Sequence, residues 1–260
     1  MKRIALIMCV TLMAAIAVSA QDNTKPAAVK PATPATPATP AASALPSLDE
    51  ILDKNIKALG GKEAIEKLSS RSAKGTFDIE AMGMSGNFES IAKAPNKNAM
   101  SINIPGFGVV NNVFDGEKGW AADPMSGVRE LAGAELDAAK RDGDFHSELN
   151  FKKNFPKAVV KSREKVGSAE AYLVEATPAS GGPEKFYFDV QTGLLIRRDA
   201  ERDSPQGKME IEIYFDDYKA VDGVKIPHTL KQVTPAFSLS MKFSEIKHNV
   251  EIDEKKFAKP

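Results

Sequence analysis

Met209-Glu210-Ile211-Glu212-Ile213-Tyr214-Phe215 places an apolar side chain at every odd position and a charged or amphipathic one at every even position. Side chains of an extended backbone alternate between its two faces, so this period of two describes a strand with one buried and one wetted face. A helical turn of 3.6 residues would mix the two sets on every side. The same period recurs outward from this stretch. Phe77 and Ile79 alternate with Thr76, Asp78 and Glu80, and Met100, Ile102 and Ile104 alternate with Ser101 and Asn103. Phe186, Phe188 and Val190 follow the rule, as do Phe237, Leu239, Met241 and Phe243 with Ser238, Ser240 and Lys242 opposite.

Asp115-Gly116, Thr192-Gly193 and Asp222-Gly223 supply turn residues between successive apolar runs, which predicts antiparallel hairpins. The count comes to about ten strands, more than a flat sheet carries without curling or splitting. Two helical patterns precede them. Ser47-Leu48-Asp49-Glu50 is a capping box, Leu48, Ile51, Leu52, Ile56 and Leu59 share one helical face, and Gly60 is a natural stop. A shorter pattern runs from Lys62 to Leu68 with Ile65. A charged, helical excursion from Glu135 to Lys153 interrupts the strands and contains Leu136, Phe145, Leu149 and Phe151. The expected fold is mainly β with covering helices (α+β). It is a strongly curved antiparallel sheet whose apolar face is covered by the helices and the excursion; two stacked sheets are the alternative.

The ends of the chain bound its setting. Met1-Lys2-Arg3, an apolar stretch from Ile4 to Val18 and the ending Val18-Ser19-Ala20 read as a signal peptide over residues 1–20, cut before Gln21. Cys9, the single cysteine, lies inside that stretch, so the processed chain has no disulfide or cysteine-ligated metal. Residues 21–46 are a Pro/Ala/Thr-rich linker with proline at every third position from Pro31 to Pro40, suited to a polyproline II spacer. The folded domain is then 47–260. With 35 basic and 35 acidic side chains in 260 residues, no broad positive field points to nucleic acid.

Catalytic and metal patterns fail on their own chemistry. His146, His228 and His248 lack metal-ligand spacing. Gly83-Met84-Ser85-Gly86 lacks the spacing of a nucleophile elbow, and Gly60-Gly61-Lys62-Glu63 that of a phosphate loop. Asp216 and Asp217 point to opposite faces and read as a solvated strand end rather than an acid/base couple. The reading assigns no catalytic residue, no metal ligand and no cofactor. Met82, Met84, Met100, Met125, Met209 and Met241 are spread along the chain, and thioethers repack around irregular partners. Each alone reads as core filler; the inward face as a whole reads as a cleft for acyl chains. Its candidate lining is Phe77, Ile79, Met100, Ile102, Trp120, Phe186, Phe188, Met209, Ile211, Ile213, Phe237, Leu239 and Met241.

Lys93-Ala94-Pro95-Asn96, then Asp115-Gly116-Glu117-Lys118-Gly119-Trp120 with Pro124, and the ending Asp253-Glu254-Lys255-Lys256-Phe257 resemble the LolA family of periplasmic lipoprotein carriers. The resemblance spans Ser47 to Pro260 at the level of pattern and extends to the wider LolA-like superfamily, with its LolB and LppX-type folds. It implies an incomplete β-barrel with a helical lid around an apolar cleft. It also implies a periplasmic carrier that binds lipid or lipoprotein acyl chains non-covalently. Envelope donor and acceptor proteins and transient membrane contact are the partners it adds. Where LolA proper has an arginine before the proline, latching the lid, this sequence has Ala94, so that latch is not carried over. A non-enzymatic envelope module, structural or sensory, binding a protein partner through the sheet surface is the competing reading.

Overall fold

A computed structural model describes residues 44–204 and 207–260. The signal-peptide reading of residues 1–20, and the linker reading up to residue 43, fall outside the described residues. Helix α1 (Leu48–Leu59) forms as its pattern dictates. Ser47 Oγ accepts from the Glu50 amide, the Glu50 carboxylate accepts from the Ser47 amide, and Gly60 closes the helix at φ 130°. Helix α2 (Lys62–Glu66) follows.

Thirteen strands follow among the described residues, where the alternation led us to expect about ten. They are β1 (Ser70–Ile79), β2 (Met84–Lys93), β3 (Lys97–Ile104), β4 (Gly108–Phe114), β5 (Gly119–Asp123) and β6 (Gly127–Glu130) in the first half. The second half holds β7 (Lys157–Val166), β8 (Ala169–Thr177), β9 (Glu184–Asp189), β10 (Leu195–Ser204), β11 (Gly207–Val221), β12 (Val224–Val233) and β13 (Ser238–His248). All belong to one sheet in the order β6-β5-β4-β3-β2-β1-β13-β12-β11-β10-β9-β8-β7. This is two antiparallel meanders zipped along a β1–β13 seam, not two stacked sheets.

The edges β6 and β7 do not pair with one another, so the barrel is incomplete. Helices α3 (Gly133–Asp142) and α4 (Phe151–Asn154) lie in the connection from one edge to the other. That segment crosses the concave side. Phe151 and Phe155 pack with Phe186, Phe188 and Val174 of the sheet and with Ile51 and Leu52 of α1. A second core lies in the first meander and across the seam, where Phe77, Ile79, Phe88, Ile102, Val110, Leu239 and Met241 are buried together. Two glycines make room there. A Cβ on Gly75 would stand 2.7 Å from the Phe88 ring, and one on Gly86 would stand 2.8 Å from the Phe77 ring, so each aromatic lies over its cross-strand glycine.

Helix α1 is fixed to the turn after β9. Lys54 Nζ donates to the Val190 carbonyl (2.6 Å) and Asn55 Nδ2 donates to the Gly193 carbonyl (2.9 Å). Among the described residues no helix is long and apolar enough to cross a membrane.

Candidate functional site

The interior between the sheet and the α3–α4 segment holds two adjoining cavities. The larger, about 400 Å³, is walled by Ala73 of β1, Met100 of β3, Leu230 of β12, and Phe243 and Ile246 of β13, with Gly143, Asp144 and Phe145 as its cover. The smaller, about 220 Å³, lies among Leu52, Phe151, Phe155, Phe186 and Phe188. Phe215 and Asp142 border both. Apolar surface dominates each lining, and a few polar groups stand at the margins, the composition of a site that holds an apolar ligand and orients one end of it.

The cover is positioned by backbone and side-chain bonds. The Phe145 amide donates to the Pro95 carbonyl (3.0 Å), so the turn between β2 and β3 holds the segment over the cavity. The Asp144 carboxylate accepts from the His146 amide, Asn150 Nδ2 and Asn154 Nδ2 at 2.8–3.2 Å, which knits the loop between α3 and α4. His146 Nε2 lies 2.9 Å from the Leu68 carbonyl.

A charge cluster ties α3 to the far wall. Glu184, 2% exposed, accepts from Arg141 (2.9 Å), Arg198 (2.7 Å) and Arg202 (2.8 Å). Asp142 of α3 accepts from Arg198 (2.9 Å) and Arg202 (3.2 Å). Burial pushes both carboxyls up, but Arg198 and Arg202 more than reverse this and hold them below the usual carboxylate range. Arg198 is driven well above the ordinary arginine value by the two carboxylates, against its own burial. The Arg141 Nε is buried without a hydrogen-bond partner among the described residues, beside the smaller cavity.

The candidate residues divide by depth and by face. Met100 borders the larger cavity, and Phe186 and Phe188 border the smaller. Phe77, Ile79, Ile102, Leu239 and Met241 lie inward but in closed core, and Phe237 packs against them from the turn before β13. Met209 and Ile211 are buried on β11 and Ile213 is half-buried there, cross-strand from Arg202, Ala200 and Arg198. Trp120 is the exception. It pairs with Val113, which pairs with Ala99, whereas the cavity-lining Met100 pairs with Asn112; Trp120 therefore occupies the convex face and is withdrawn from the cleft set. Asp216 and Asp217 lie inside β11 rather than at its end. Asp217, at φ 55°, turns the strand so that Tyr218 packs toward Leu59, Leu68 and Val224. Arg71, Ala73, Phe145, Phe215, Leu230, Phe243 and Ile246 also line the cavity and were not among the sequence candidates.

No protein-family model and no curated protein matches the sequence. Solved structures do match. A DUF1329 family protein from Desulfovibrio piger aligns over 81% of this chain and 97% of its own, at 12% identity and a TM-score of 0.56. A LolA superfamily protein from Nitrosomonas europaea aligns over 83% of this chain and 99% of its own, at 13% identity and a TM-score of 0.55. The fold is LolA-like. A domain from Vibrio parahaemolyticus assigned to outer membrane lipoprotein sorting aligns over 79% of this chain and 97% of its own, at 12% identity and a TM-score of 0.50. Identities this low speak for the fold alone. Within the LolA-like frame, the Lys93-Ala94-Pro95-Asn96 turn is a junction. Pro95 holds the cover, Asn96 Nδ2 donates to the Gly116 carbonyl of the next hairpin (3.0 Å), and Lys93 and Lys97 both engage Glu254 of the closing turn.

Proposed function

We propose that this protein is an exported envelope carrier that binds lipid or lipoprotein acyl chains non-covalently inside its LolA-like barrel. The observation that carries the reading is the apolar cavity of about 400 Å³ between the sheet and the α3–α4 cover. A buried methylene contributes ~0.8 kcal/mol, so one acyl chain gains enough there for reversible capture. Export to the periplasm is supported by the charged head, apolar stretch and Val18-Ser19-Ala20 ending, and the proline triplets from Pro31 suit a spacer before the domain. The role is binding and hand-over, with an envelope donor and acceptor as partners, and it assigns no catalytic residue and no cofactor.

The test is native mass spectrometry of the processed chain, together with titration of a fluorescent fatty-acyl probe. Co-purified lipid, or saturable probe binding that unlabelled acyl chains displace, is the expected result. A folded chain that carries no lipid and binds no probe overturns the carrier and leaves a partner-binding module on the same fold.

A further inference from the structure

Arg71 stands on the inward face of β1, in phase with Ala73 and Phe77, and its guanidinium borders the larger cavity. It lies over the Phe145 ring, 5.9 Å from the ring centre, and makes no hydrogen bond or ion pair among the described residues. The acidic groups around the cavity are already committed. Asp142 is held by Arg198 and Arg202, and Asp144 by the His146 amide, Asn150 and Asn154. Glu148 is exposed and attracts Arg71 only at longer range. His248, the cross-strand partner of Arg71, is held below the usual histidine value by burial and by Arg71, so it is neutral near pH 7.

Arg71 is half-buried, and a cation set in an apolar wall without a counter-ion of its own gains from an anion that arrives to pair with it. A guanidinium presents a planar fork that matches a carboxylate or phosphate in two parallel bonds. From these facts, and resting on the acyl-carrier reading, we infer that the ligand is a single-chain amphiphile with an anionic head, its carboxylate or phosphate monoester seated on Arg71. Its chain then runs along Met100, Leu230, Phe243 and Ile246.

The experiment compares head groups on one chain. Binding of the fluorescent polyene cis-parinaric acid and of its methyl ester is measured on the processed wild type, Arg71→Gln and Arg71→Lys. Lysophosphatidic acid and monoacylglycerol serve as competitors for the phosphate arm. Wild type should prefer an anion over its neutral counterpart by roughly tenfold or more. Arg71→Gln should erase that preference while still binding the ester, and Arg71→Lys should keep part of it. Whichever anion shows the larger preference names the head group. Equal affinity for charged and neutral heads in the wild type, or a preference that survives in Arg71→Gln, overturns the assignment and leaves the carrier standing. Binding of neither acid nor ester overturns the carrier reading itself. Should Arg71→Gln fail to fold, by circular dichroism, the wild-type ratios and Arg71→Lys decide.

Discussion

Met100 and Ile211 obey the same alternation yet meet different surroundings. Met100 is half-buried at the cavity wall, whereas Ile211 is 4% exposed within the sheet's inner layer. A carboxylate at position 100 has open space beside it; at 211 it is sealed among side chains. Met100→Glu is therefore expected to keep a cooperative thermal melt and to weaken acyl-probe binding by roughly tenfold or more, since it places charge where the chain would lie. Ile211→Glu is expected to cost several kcal/mol, on the scale of ~3–5 for an uncompensated buried charge, and to lower the melting temperature before binding can be measured. A stable Ile211→Glu chain with lost binding would move the site toward β11. Alternation reports which face a side chain occupies, not how deeply that face is covered, so the sequence read both residues alike. Arg71 escaped for the opposite reason. A charge in phase with Phe77 and Ile79 reads as the polar end of a strand, and only the cover at Phe145 makes it a half-buried group of the cavity wall. The signal that would have found it is its phase.

At the level of elements, helix α1 was legible from Ser47 to Gly60 because its cap, stripe and stop are all local. Strand β10 was not, because its inward positions carry Arg198 and Arg202 where the pattern requires apolar side chains, and of their partners Glu184 lies on the preceding strand and Asp142 far back in α3. That cluster should govern how firmly α3 is attached. Glu184→Gln leaves Arg141 without a carboxylate and Arg198 and Arg202 with Asp142 alone, and is expected to cost about 3–5 kcal/mol in urea denaturation. Acid should act through the same groups. Asp142 and Glu184 are held below their ordinary values, so their contribution is full above the usual carboxylate range near ~4 and is lost as pH falls through their own lower values. Protection factors of residues 133–154, taken relative to the intrinsic exchange rate at each pH, are expected to fall on acidification ahead of those in β1 and β13. A uniform loss of protection across the chain would show that the cluster adds nothing to the cover's attachment.

Across the whole molecule, the antiparallel class and the covered concave face followed from the pattern, while the seam did not, since β1 and β13 are joined by no local turn. The β7 edge is guarded by charge. β7 presents Lys157, Lys161, Arg163 and Lys165 along its length with a register shift near Ser162, features that discourage a second copy from adding a strand. The closing turn after β13 braces the convex side of the first meander, with Phe257 1% exposed and Glu254 engaging Lys93 and Lys97. The lysines hold the Glu254 carboxyl down at about 2. Phe257→Ala is expected to cost about 3–5 kcal/mol, read by calorimetry, with acyl-probe affinity unchanged at temperatures where the chain is folded. The seam also sets a timetable for biosynthesis. β1 is made before every other described strand, yet the strand that completes its hydrogen bonding is the last of the thirteen described. At ~5–20 residues per second, synthesis of the two strands is separated by on the order of ten to thirty seconds. A chain truncated before Ser238 therefore keeps one side of β1 unpaired wherever it folds, an open edge on which a second chain can add a strand.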